Sequence, residues 1–392
     1  MFSKNWDMKS NYRNIGDFIK LVDERNKGLK VTNLVGLSIS KQFIKSVANT
    51  IGTDMENYKI IRKNQFACST MQVRRDKKMP LALYSENEPA IISQAYPVFE
   101  INDTSQLLPE YLMMWFTRSE FDREACFHAV GGVRGSLEWE DFCGMQLPIP
   151  SLEKQQELVS EYNAIQNRIA LNNQLISKLE ETAQAIYKQW FVDFEFPDEN
   201  GLPYKSNGGE MVWCAELEKE IPEGWEFKSL EDIASLKYGK MLDSDLFLDK
   251  GYPVFSGYGV RGYYSEYMYE EPQILVLCRG VSGTGEVRLS PKFSYITNLS
   301  IVVETKYIFT KLYLFYFLKN EDLKSLDSGS AQSMITTGDL YRHRILIPKN
   351  KIQKDFEGKI QTILNHLESI NKENQKLAEL KELLLAKMTR IN

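Results

Sequence analysis

The feature that most constrains the fold is an apolar repeat between residues 151 and 192. Apolar residues recur there at alternating steps of four and three, and no glycine or proline interrupts the segment. This spacing predicts one continuous helix of about 60 Å. Because so long an apolar stripe needs a partner helix, the sequence also predicts a second one. The apolar positions are Leu158, Tyr162, Ile165, Ile169, Ile176, Leu179, Ala183, Ile186 and Trp190.

A second segment near the end of the chain repeats this pattern. A shift of 198 residues places Leu158 on Phe356, and the apolar positions that follow these two residues also correspond. Both stripes come after a short strand-like run containing proline, at 147–150 and 346–348. Ser151, and Asn350 together with Gln353, are suitable helix-capping residues. The second stripe consists of Phe356, Ile360, Ile363, Leu367, Ile370, Leu377, Leu384 and Met388.

Polar residues interrupt the two stripes at Asn172 and at Asn374. A buried asparagine fixes helix register, since it is tolerated against another asparagine and unfavourable against an apolar residue. An antiparallel pairing that places 158 opposite 388 also places Asn172 opposite Asn374, whereas a parallel pairing in register places it against Ile370. The sequence therefore predicts an antiparallel coiled coil within the chain. The alternative is that each helix pairs with a second copy of the chain.

The repeat continues upstream of both helices. Residues 91–99 resemble 295–303 and predict strands, residues 109–116 resemble 310–317 and predict a buried helix, and loops 131–135 and 328–332 correspond. The predicted fold class is α+β, with two globular α/β units alternating with two long helices and pseudo-twofold symmetry. The expected boundaries are 1–150, a helix at 151–196, a hinge at 197–221 rich in Pro, Gly, Asn and Ser, a second unit at 222–348, and a helix at 349–392.

Composition and motifs favour a binding protein over an enzyme. The five cysteines form no CxxC pair, the N-terminal residues lack an apolar signal region, and no apolar run reaches membrane-spanning length, so we expect a cytoplasmic protein. The three histidines lack metal-ligand spacing, and no phosphate-binding loop is present. The motif GYGVRG at 257–262 matches a dinucleotide fingerprint but precedes an aromatic run rather than a helix. We expect no catalytic residue and no metal site.

Candidate nucleic-acid contacts in the first unit come from a basic stretch. Residues 59–78 combine lysines and arginines with polar side chains suited to phosphates and base edges, although the net charge of the chain is −5. The alternative is an ordinary solvated basic loop. The candidates, with two lysines upstream and one arginine in the loop at 131–135, are Lys41, Lys45, Arg62, Lys63, Gln72, Arg74, Arg75, Lys77, Lys78 and Arg134.

Candidates in the second unit lie in two glycine-rich loops, at 256–262 and 278–288. Glycine lets the backbone approach a phosphate closely, and single arginines are suited to bidentate contact with guanine. The tyrosine at 258 either stacks on bases or packs within the protein. The candidates are Tyr258, Arg261, Arg279, Ser282, Thr284 and Arg288.

Several stretches, together with the two-copy plan, resemble the specificity subunits of type I restriction-modification systems. The resemblance covers nearly the whole chain. It is carried by VGLSISKQFI (35–44), STMQVRR (69–75), LPIPSLEKQQ (147–156), AIYKQWFVDF (185–194), EFPDENGLPY (195–204), SNGGEMVW (206–213) and IPEGWEFKSL (221–230).

The resemblance implies a non-catalytic, sequence-specific DNA-binding subunit. Each globular unit would recognise one half of a bipartite, asymmetric DNA site, while the helices would set the gap and dock two methyltransferase subunits. Restriction subunits that translocate DNA would join through the same core. S-adenosylmethionine would bind the methyltransferase partners, and ATP with Mg would bind the restriction partner, so this chain would hold no cofactor. Two alternatives are an autonomous enzyme and a scaffold that does not recognise DNA sequence.

Overall fold

The structure, a computed structural model, describes residues 11–46, 52–131, 135–280, 283–306, 311–327 and 333–390. The chain divides into two compact units, of which the first combines Met1–Asn173 with Asn371–Asn392 and the second is Gln174–Ile370. Each unit therefore contains one globular segment and parts of two long helices. Among the described residues, no helix is both long enough and apolar enough to span a membrane.

Within its described residues, the globular segment of the first unit has ten strands and four α-helices. The strands are β1 (Tyr12–Asn14), β2 (Ile19–Val22), β3 (Val35–Leu37), β4 (Phe43–Lys45), β5 (Lys59–Ile61), β6 (Phe66–Cys68), β7 (Leu81–Leu83), β8 (Ala90–Ile92), β9 (Val98–Ile101) and β10 (Gln146–Pro148). The helices are α1 (Val73–Asp76), α2 (Pro109–Thr117), α3 (Ser119–His128) and α4 (Trp139–Gly144), and the long helix α5 (Leu152–Tyr187) follows them.

A four-stranded antiparallel sheet, in the order β2-β9-β6-β7, forms the centre of this segment. The sheet packs on α2, α3 and α4 through aromatic side chains, because its strands carry large apolar residues on one face. The rings of Phe66 and Phe99 stack at 5.0 Å. The ring of Phe116 contacts both of them, and the ring of Phe142 contacts that of Phe99. All four side chains are fully buried. Burial of this kind is the main stabilising contribution to such a domain.

After α5, the described residues form eleven further strands and four further α-helices. The strands are β11 (Met211–Cys214), β12 (Lys219–Pro222), β13 (Glu226–Ser229), β14 (Ala234–Tyr238), β15 (Tyr252–Phe255), β16 (Val260–Tyr264), β17 (Ile274–Leu277), β18 (Val287–Leu289), β19 (Tyr295–Ile296), β20 (Ser300–Thr305) and β21 (Arg344–Ile347). The helices are α6 (Leu230–Ile233), α7 (Lys311–Asn320), α8 (Thr337–Tyr341) and α9 (Asn350–Lys387).

The central sheet of the second unit repeats that of the first. Its order is β14-β20-β17-β18, and all its neighbouring strands are antiparallel. In each unit, a short strand before this sheet pairs with the strand that leads into a long helix, β1 with β10 and β13 with β21. The predicted internal repeat is thus confirmed at the level of topology.

Equivalent side chains hold the start of each long helix. The buried Gln155 donates from Nε2 to the carbonyl of Pro150 at 3.0 Å, and the buried Gln353 donates to that of Pro348 at 2.6 Å. Ser151 caps α5 as predicted, since its hydroxyl accepts from the backbone N–H of Lys154 at 3.4 Å. The prediction that Asn350 and Gln353 form a capping pair is wrong, because Gln353 turns inward to the preceding carbonyl.

The two long helices pair antiparallel in each unit. In the first unit, Asn172 Nδ2 donates to Asn374 Oδ1 at 2.9 Å, and Glu157, earlier on α5, lies near Lys387, later on α9. In the second unit, the ring of Phe356 near the start of α9 lies 4.8 Å from that of Phe191 at the end of α5. The antiparallel pairing within one chain is confirmed, and the two register asparagines contact each other.

The segment from 197 to 221, predicted as a hinge, is a structured part of the second unit. It contains the antiparallel hairpin formed by β11 and β12, whose Cys214 and Ile221 are buried in the core of that unit. Before the hairpin, the ring of Phe196 stacks on Tyr204 at 4.5 Å and on Trp225 at 5.6 Å. These aromatic contacts order a stretch whose glycine and proline content indicated a loose connection.

Candidate nucleic-acid interface

Equivalent connections in the two units carry many of the predicted contact residues. Residues 69–80 join β6 to β7, and residues 278–286 join β17 to β18. In the first unit the backbone N–H of Leu137 donates to the carbonyl of Thr70 at 2.9 Å. In the second unit the N–H of Ile335 donates to the carbonyl of Cys278 at 3.0 Å. The repeat therefore places one candidate connection, tied to one following loop, at the same point of each sheet.

The first connection presents a cluster of exposed cations around α1. The residues on either side of α1, Gln72 and Lys77, have φ angles of 64° and 51°, which tighten the chain around this single turn. Cys126 on α3 donates from Sγ to the carbonyl of Val73 at 3.4 Å and so fixes the turn to the domain. A backbone strained in this way is frequent at functional sites. The exposed cations are Arg74, Arg75, Lys77 and Lys78.

Hydrogen bonds distinguish the two arginines of this turn. Arg75 donates from Nε to Asp76 at 2.7 Å, and this bond lowers the pKa of the Asp76 carboxyl. Among the described residues, Arg74 makes only a long contact, 3.5 Å from Nη1 to the carbonyl of Gly131. A Cβ atom on Gly135 would lie 2.7 Å from the Cβ of Arg74, so the following loop packs directly against this side chain. Arg74 is therefore positioned by backbone and not paired with a described carboxylate.

Lys41 is removed from the set of DNA contacts because it is buried. Its Nζ donates to Asp122 Oδ1 at 2.8 Å and to the carbonyl of Phe116, and its side chain is 6% exposed. Burial lowers the pKa of Lys41, whereas the bond to Asp122 opposes that shift. The same carboxylate oxygen accepts from the N–H of Met79 at 3.1 Å. Lys41 thus anchors the end of the connection that carries α1.

Arg62 and Lys63 lie at the other end of strand β6 from the connection at 69–80, because they precede that strand. Arg62 forms a two-point ion pair with Glu24 at 2.9 and 2.7 Å, which lowers the pKa of Glu24, and Lys63 donates to Asn87 at 2.8 Å. Lys45 is exposed on β4, in a separate two-stranded sheet. The contiguous basic stretch of the sequence is therefore split between two ends of a sheet.

In the second unit, the structure separates exposed candidates from structural ones. Arg279 is exposed on the connection, and Arg261 is exposed on β16. Thr284 is removed from the set, because it is 5% exposed and its hydroxyl donates to the carbonyl of Gly280 at 2.7 Å. Arg288 on β18 is paired with Glu286, which immediately precedes that strand. Arg134 and Ser282 lie outside the described residues.

Two aromatic residues near the connections were missed by the sequence analysis. Tyr238 ends β14, is 38% exposed, and its ring centroid lies 6.0 Å from the guanidinium carbon of Arg279. Phe127 at the end of α3 is 81% exposed, and its helix holds α1. Exposure of so large an apolar side chain was the only available signal for Phe127, and exposure cannot be inferred from a single sequence.

These surfaces suit binding to an anionic polymer. Arginine and lysine side chains provide phosphate contacts, and guanidinium groups without a carboxylate partner retain their donors for base edges. Across the part of the chain that the structure describes, no group of three or more His, Cys, Asp or Glu residues could hold a metal ion.

Comparison with known proteins agrees with this chemistry. The family model described as "Type I restriction modification DNA specificity domain" matches residues 11–181 and 222–382. The type I restriction enzyme MjaIX specificity subunit of Methanocaldococcus jannaschii is 25% identical over 309 residues, which are 72% of this chain and 68% of the relative. The HindI specificity subunit of Haemophilus influenzae is 22% identical over 403 residues, 84% of this chain and 86% of the relative.

A solved structure has the same fold. The crystal structure of a type I restriction-modification S subunit from M. genitalium aligns with a TM-score of 0.61 and 16% identity, covering 99% of this chain and 98% of that one. The duplicated fold, with an exposed arginine on each of two equivalent connections, is that of a two-domain DNA-recognition protein. The family match covers most of the chain in two copies, and the chain therefore belongs to the type I restriction-modification DNA specificity family. It is a DNA-recognition subunit and not a catalytic one.

Proposed function

We propose that each globular segment recognises one half of a bipartite, asymmetric DNA site. The observation that supports this most directly is the repeated connection, with exposed Arg74 in the first unit and exposed Arg279 in the second. The two connections differ in their other side chains, since the described residues 278–280 and 283–286 contain no glutamine and no lysine to match Gln72, Lys77 and Lys78. Two different surfaces on one repeated scaffold are suited to two different half-sites.

In this proposal, α5 and α9 set the length of the unrecognised gap and dock two methyltransferase subunits. S-adenosylmethionine binds those subunits, and restriction subunits that use ATP and Mg join the same complex. The chain itself directs adenine methylation or restriction by choosing the site. The antiparallel pairing of α5 with α9 in each unit supports a stiff connecting role, since a paired helix bends less than a single one.

Exchange of residues 222–345 tests the assignment of one half-site to each segment. The chimera takes the corresponding segment of the HindI relative, and the parent and chimeric chains select bound molecules from a library of randomised duplex DNA. We expect one half of the selected site to change and the other half to stay the same. A change in both halves contradicts separate recognition by the two segments.

Selection of DNA by the parent chain also tests the two alternative functions, a scaffold that does not recognise DNA sequence and an autonomous enzyme. Enrichment of no sequence supports a scaffold that binds DNA only through phosphates or not at all. Methylation of duplex DNA by the purified chain with S-adenosylmethionine alone supports an autonomous enzyme. We expect a bipartite sequence from the selection and no methyl transfer until methyltransferase subunits are added.

A further inference from the structure

The backbone of Arg279 is held from several directions. The N–H of Cys278 donates to the carbonyl of Leu299 at 3.0 Å, and the carbonyl of Cys278 accepts from Ile335 at 3.0 Å. On the other side, the carbonyl of Arg279 accepts the hydroxyl of Tyr258 at 2.9 Å. These bonds tie the residue to β20, to the loop before α8 and to the β15–β16 hairpin. Its side chain therefore projects from a fixed backbone.

Tyr258 packs against two glycines of this connection, Gly280 and Gly283. A Cβ atom on Gly280 would lie 2.3 Å from the Tyr258 hydroxyl oxygen, and one on Gly283 would lie 2.5 Å from its ring. Gly280 also has a φ of +128°, a conformation that other residues rarely adopt. Both glycines are therefore required by the close approach of the tyrosine. Burial raises the pKa of the Tyr258 hydroxyl, while the side chain as a whole is 43% exposed.

The side chain of Arg279 is exposed and lies near one aromatic ring. Its guanidinium carbon is 6.0 Å from the ring centroid of Tyr238, within the range of a cation–π contact. No described carboxylate forms an ion pair with it, in contrast to Arg288, which pairs with Glu286, and Arg342, which pairs with Asp339 at 2.7 Å. The hydrogen-bond donors of Arg279 are thus available to a ligand.

Tyr238 is itself fixed at both ends. Its backbone pairs with Ile301 in the central sheet, and its hydroxyl oxygen accepts from the N–H of Thr337 at 3.4 Å. A ring held in this way limits the directions open to the neighbouring guanidinium. A guanidinium restricted by a ring loses less conformational freedom on forming two parallel hydrogen bonds.

We propose that Arg279 is the specificity-determining residue of the second globular segment, with a guanine in double-stranded DNA as its ligand, and that Tyr238 is its positioning residue. Tyr258 then supports the connection and does not contact bases. This inference rests on the proposed function, because it assigns one base pair of one half-site. Two parallel N–H groups match the O6 and N7 acceptors of guanine in the major groove.

The test uses the full chain and the same library of randomised duplex DNA. Arg279→Lys keeps the charge but removes the planar fork, Tyr238→Leu removes the ring, and Tyr238→Phe keeps it. Arg342→Lys is the matched control, since Arg342 is exposed in the same unit and is paired with Asp339. Thermal unfolding of each variant identifies any that has lost its fold.

We expect Arg279→Lys to reduce the preference for one G·C pair in one half-site by about 5- to 150-fold, the range for a single bidentate contact. The other half-site should be unchanged. Tyr238→Leu should weaken the preference at the same base pair. Tyr238→Phe should weaken it less, because it keeps the ring and loses only the bond to Thr337, and Arg342→Lys should preserve it. Folded Tyr238→Leu protein that keeps the full preference contradicts the positioning role.

Other outcomes overturn the assignment of Arg279. If Arg279→Lys leaves the selected sequence intact, another residue recognises that half-site. If Arg279→Ala weakens binding to all sequences equally and lowers the salt dependence by about one unit, Arg279 contacts a phosphate. If the parent chain selects no sequence, both the proposed function and this inference are overturned. If the parent selects a bipartite site and the Arg279 variants do not change it as expected, the proposed function stands and only the role of Arg279 is overturned.

Discussion

Single residues of the same charge have different roles here because their partners differ. Arg62 and Arg288 are each paired with a glutamate, so their charge is neutralised locally. Arg74 and Arg279 lie beside backbone or an aromatic ring and have no ion pair with a described carboxylate. Lys41 is buried against Asp122. Among these five residues, only Arg74 and Arg279 are exposed without an ion pair to a described carboxylate, so we expect partner chemistry rather than charge density to identify the residues that contact DNA.

Replacement of Lys41 by methionine should destabilise the first unit by about 3–5 kcal/mol. The change leaves the buried Asp122 carboxylate without its cation, and an unpaired buried charge is strongly unfavourable. Denaturant unfolding measures the free energy difference. Lys45→Met is the matched control, because Lys45 is exposed on β4, and its effect should stay within about 0.5 kcal/mol.

A second substitution separates loss of the ion pair from loss of packing. In Lys41→Met with Asp122→Asn, the buried charge is gone and the amide oxygen can still accept from Met79. The double variant should therefore be more stable than Lys41→Met alone. Equal stability of the two would show that packing around the lysine stem, and not the charge of Asp122, causes the loss.

At this scale the structure separates the predicted contact residues into exposed and buried ones. Arg74, Arg75, Lys77, Lys78, Arg261 and Arg279 are exposed as a DNA contact requires. Lys41 was predicted as a contact because its partner, Asp122, is 81 residues away in the chain. Tyr238 was missed because a tyrosine at a strand end is ordinary until the neighbouring connection places Arg279 beside it. Side-chain partners depend on tertiary contacts that residue spacing does not contain.

Among the elements, the paired helices were the most predictable from sequence. A heptad stripe without glycine or proline determines a helix, and the two asparagines determined its antiparallel partner. The connection at 197–221 was less predictable, because its order comes from rings that are separated in sequence, Phe196, Tyr204 and Trp225. Local composition indicated a loop there, and distant aromatic packing overrode it.

Replacement of Asn172 alone by leucine should destabilise the helix pair by about 1–3 kcal/mol. The change removes the 2.9 Å hydrogen bond and places an apolar residue against the amide of Asn374. Leucine at both positions should recover that stability, because two apolar residues pack well in a coiled-coil seam. Denaturant unfolding compares the variants. Gln375→Leu is the control, since Gln375 is exposed on α9 beside the asparagine.

Crosslinking shows whether register is kept in these variants. Cysteines placed at 158 and 388 should form a disulfide in an otherwise unchanged chain, and cysteines at 158 and 356 should not. The parent chain controls for the five natural cysteines. With leucine at both 172 and 374, weaker or mixed crosslinking would show that the asparagine pair selects the register. Unchanged crosslinking would assign register to the other seam contacts, including the ion pair of Arg168 with Glu373 at 2.9 Å.

At the scale of the whole molecule, the proposed function uses the paired helices to set the gap between the two half-sites. Insertion of 21 residues, three heptads, between 173 and 174 and again between 370 and 371 keeps the asparagine pair in register. The insertion lengthens the paired helices by about 31 Å, which is close to one turn of B-DNA. We expect the gap in sequences selected from randomised DNA to grow by about nine base pairs. A folded variant with an unchanged gap contradicts the spacer role.

Insertion in one helix only is the control for this experiment. It moves Asn172 out of line with Asn374 and should lower the free energy of unfolding. Loss of DNA selection in that variant would then follow from misfolding and not from a changed gap.

The first unit is assembled from two distant parts of the chain, Met1–Asn173 and Asn371–Asn392, whereas the second is continuous. During synthesis at about 5–20 residues per second, the intervening stretch of nearly 200 residues takes about 10–40 s to produce. Through that interval Leu158, Ile165 and Ile169 lack Leu377 and Leu384 of α9, and Met388 just after it, which share their core. The half of the protein that is translated first is therefore the half that completes its folding last.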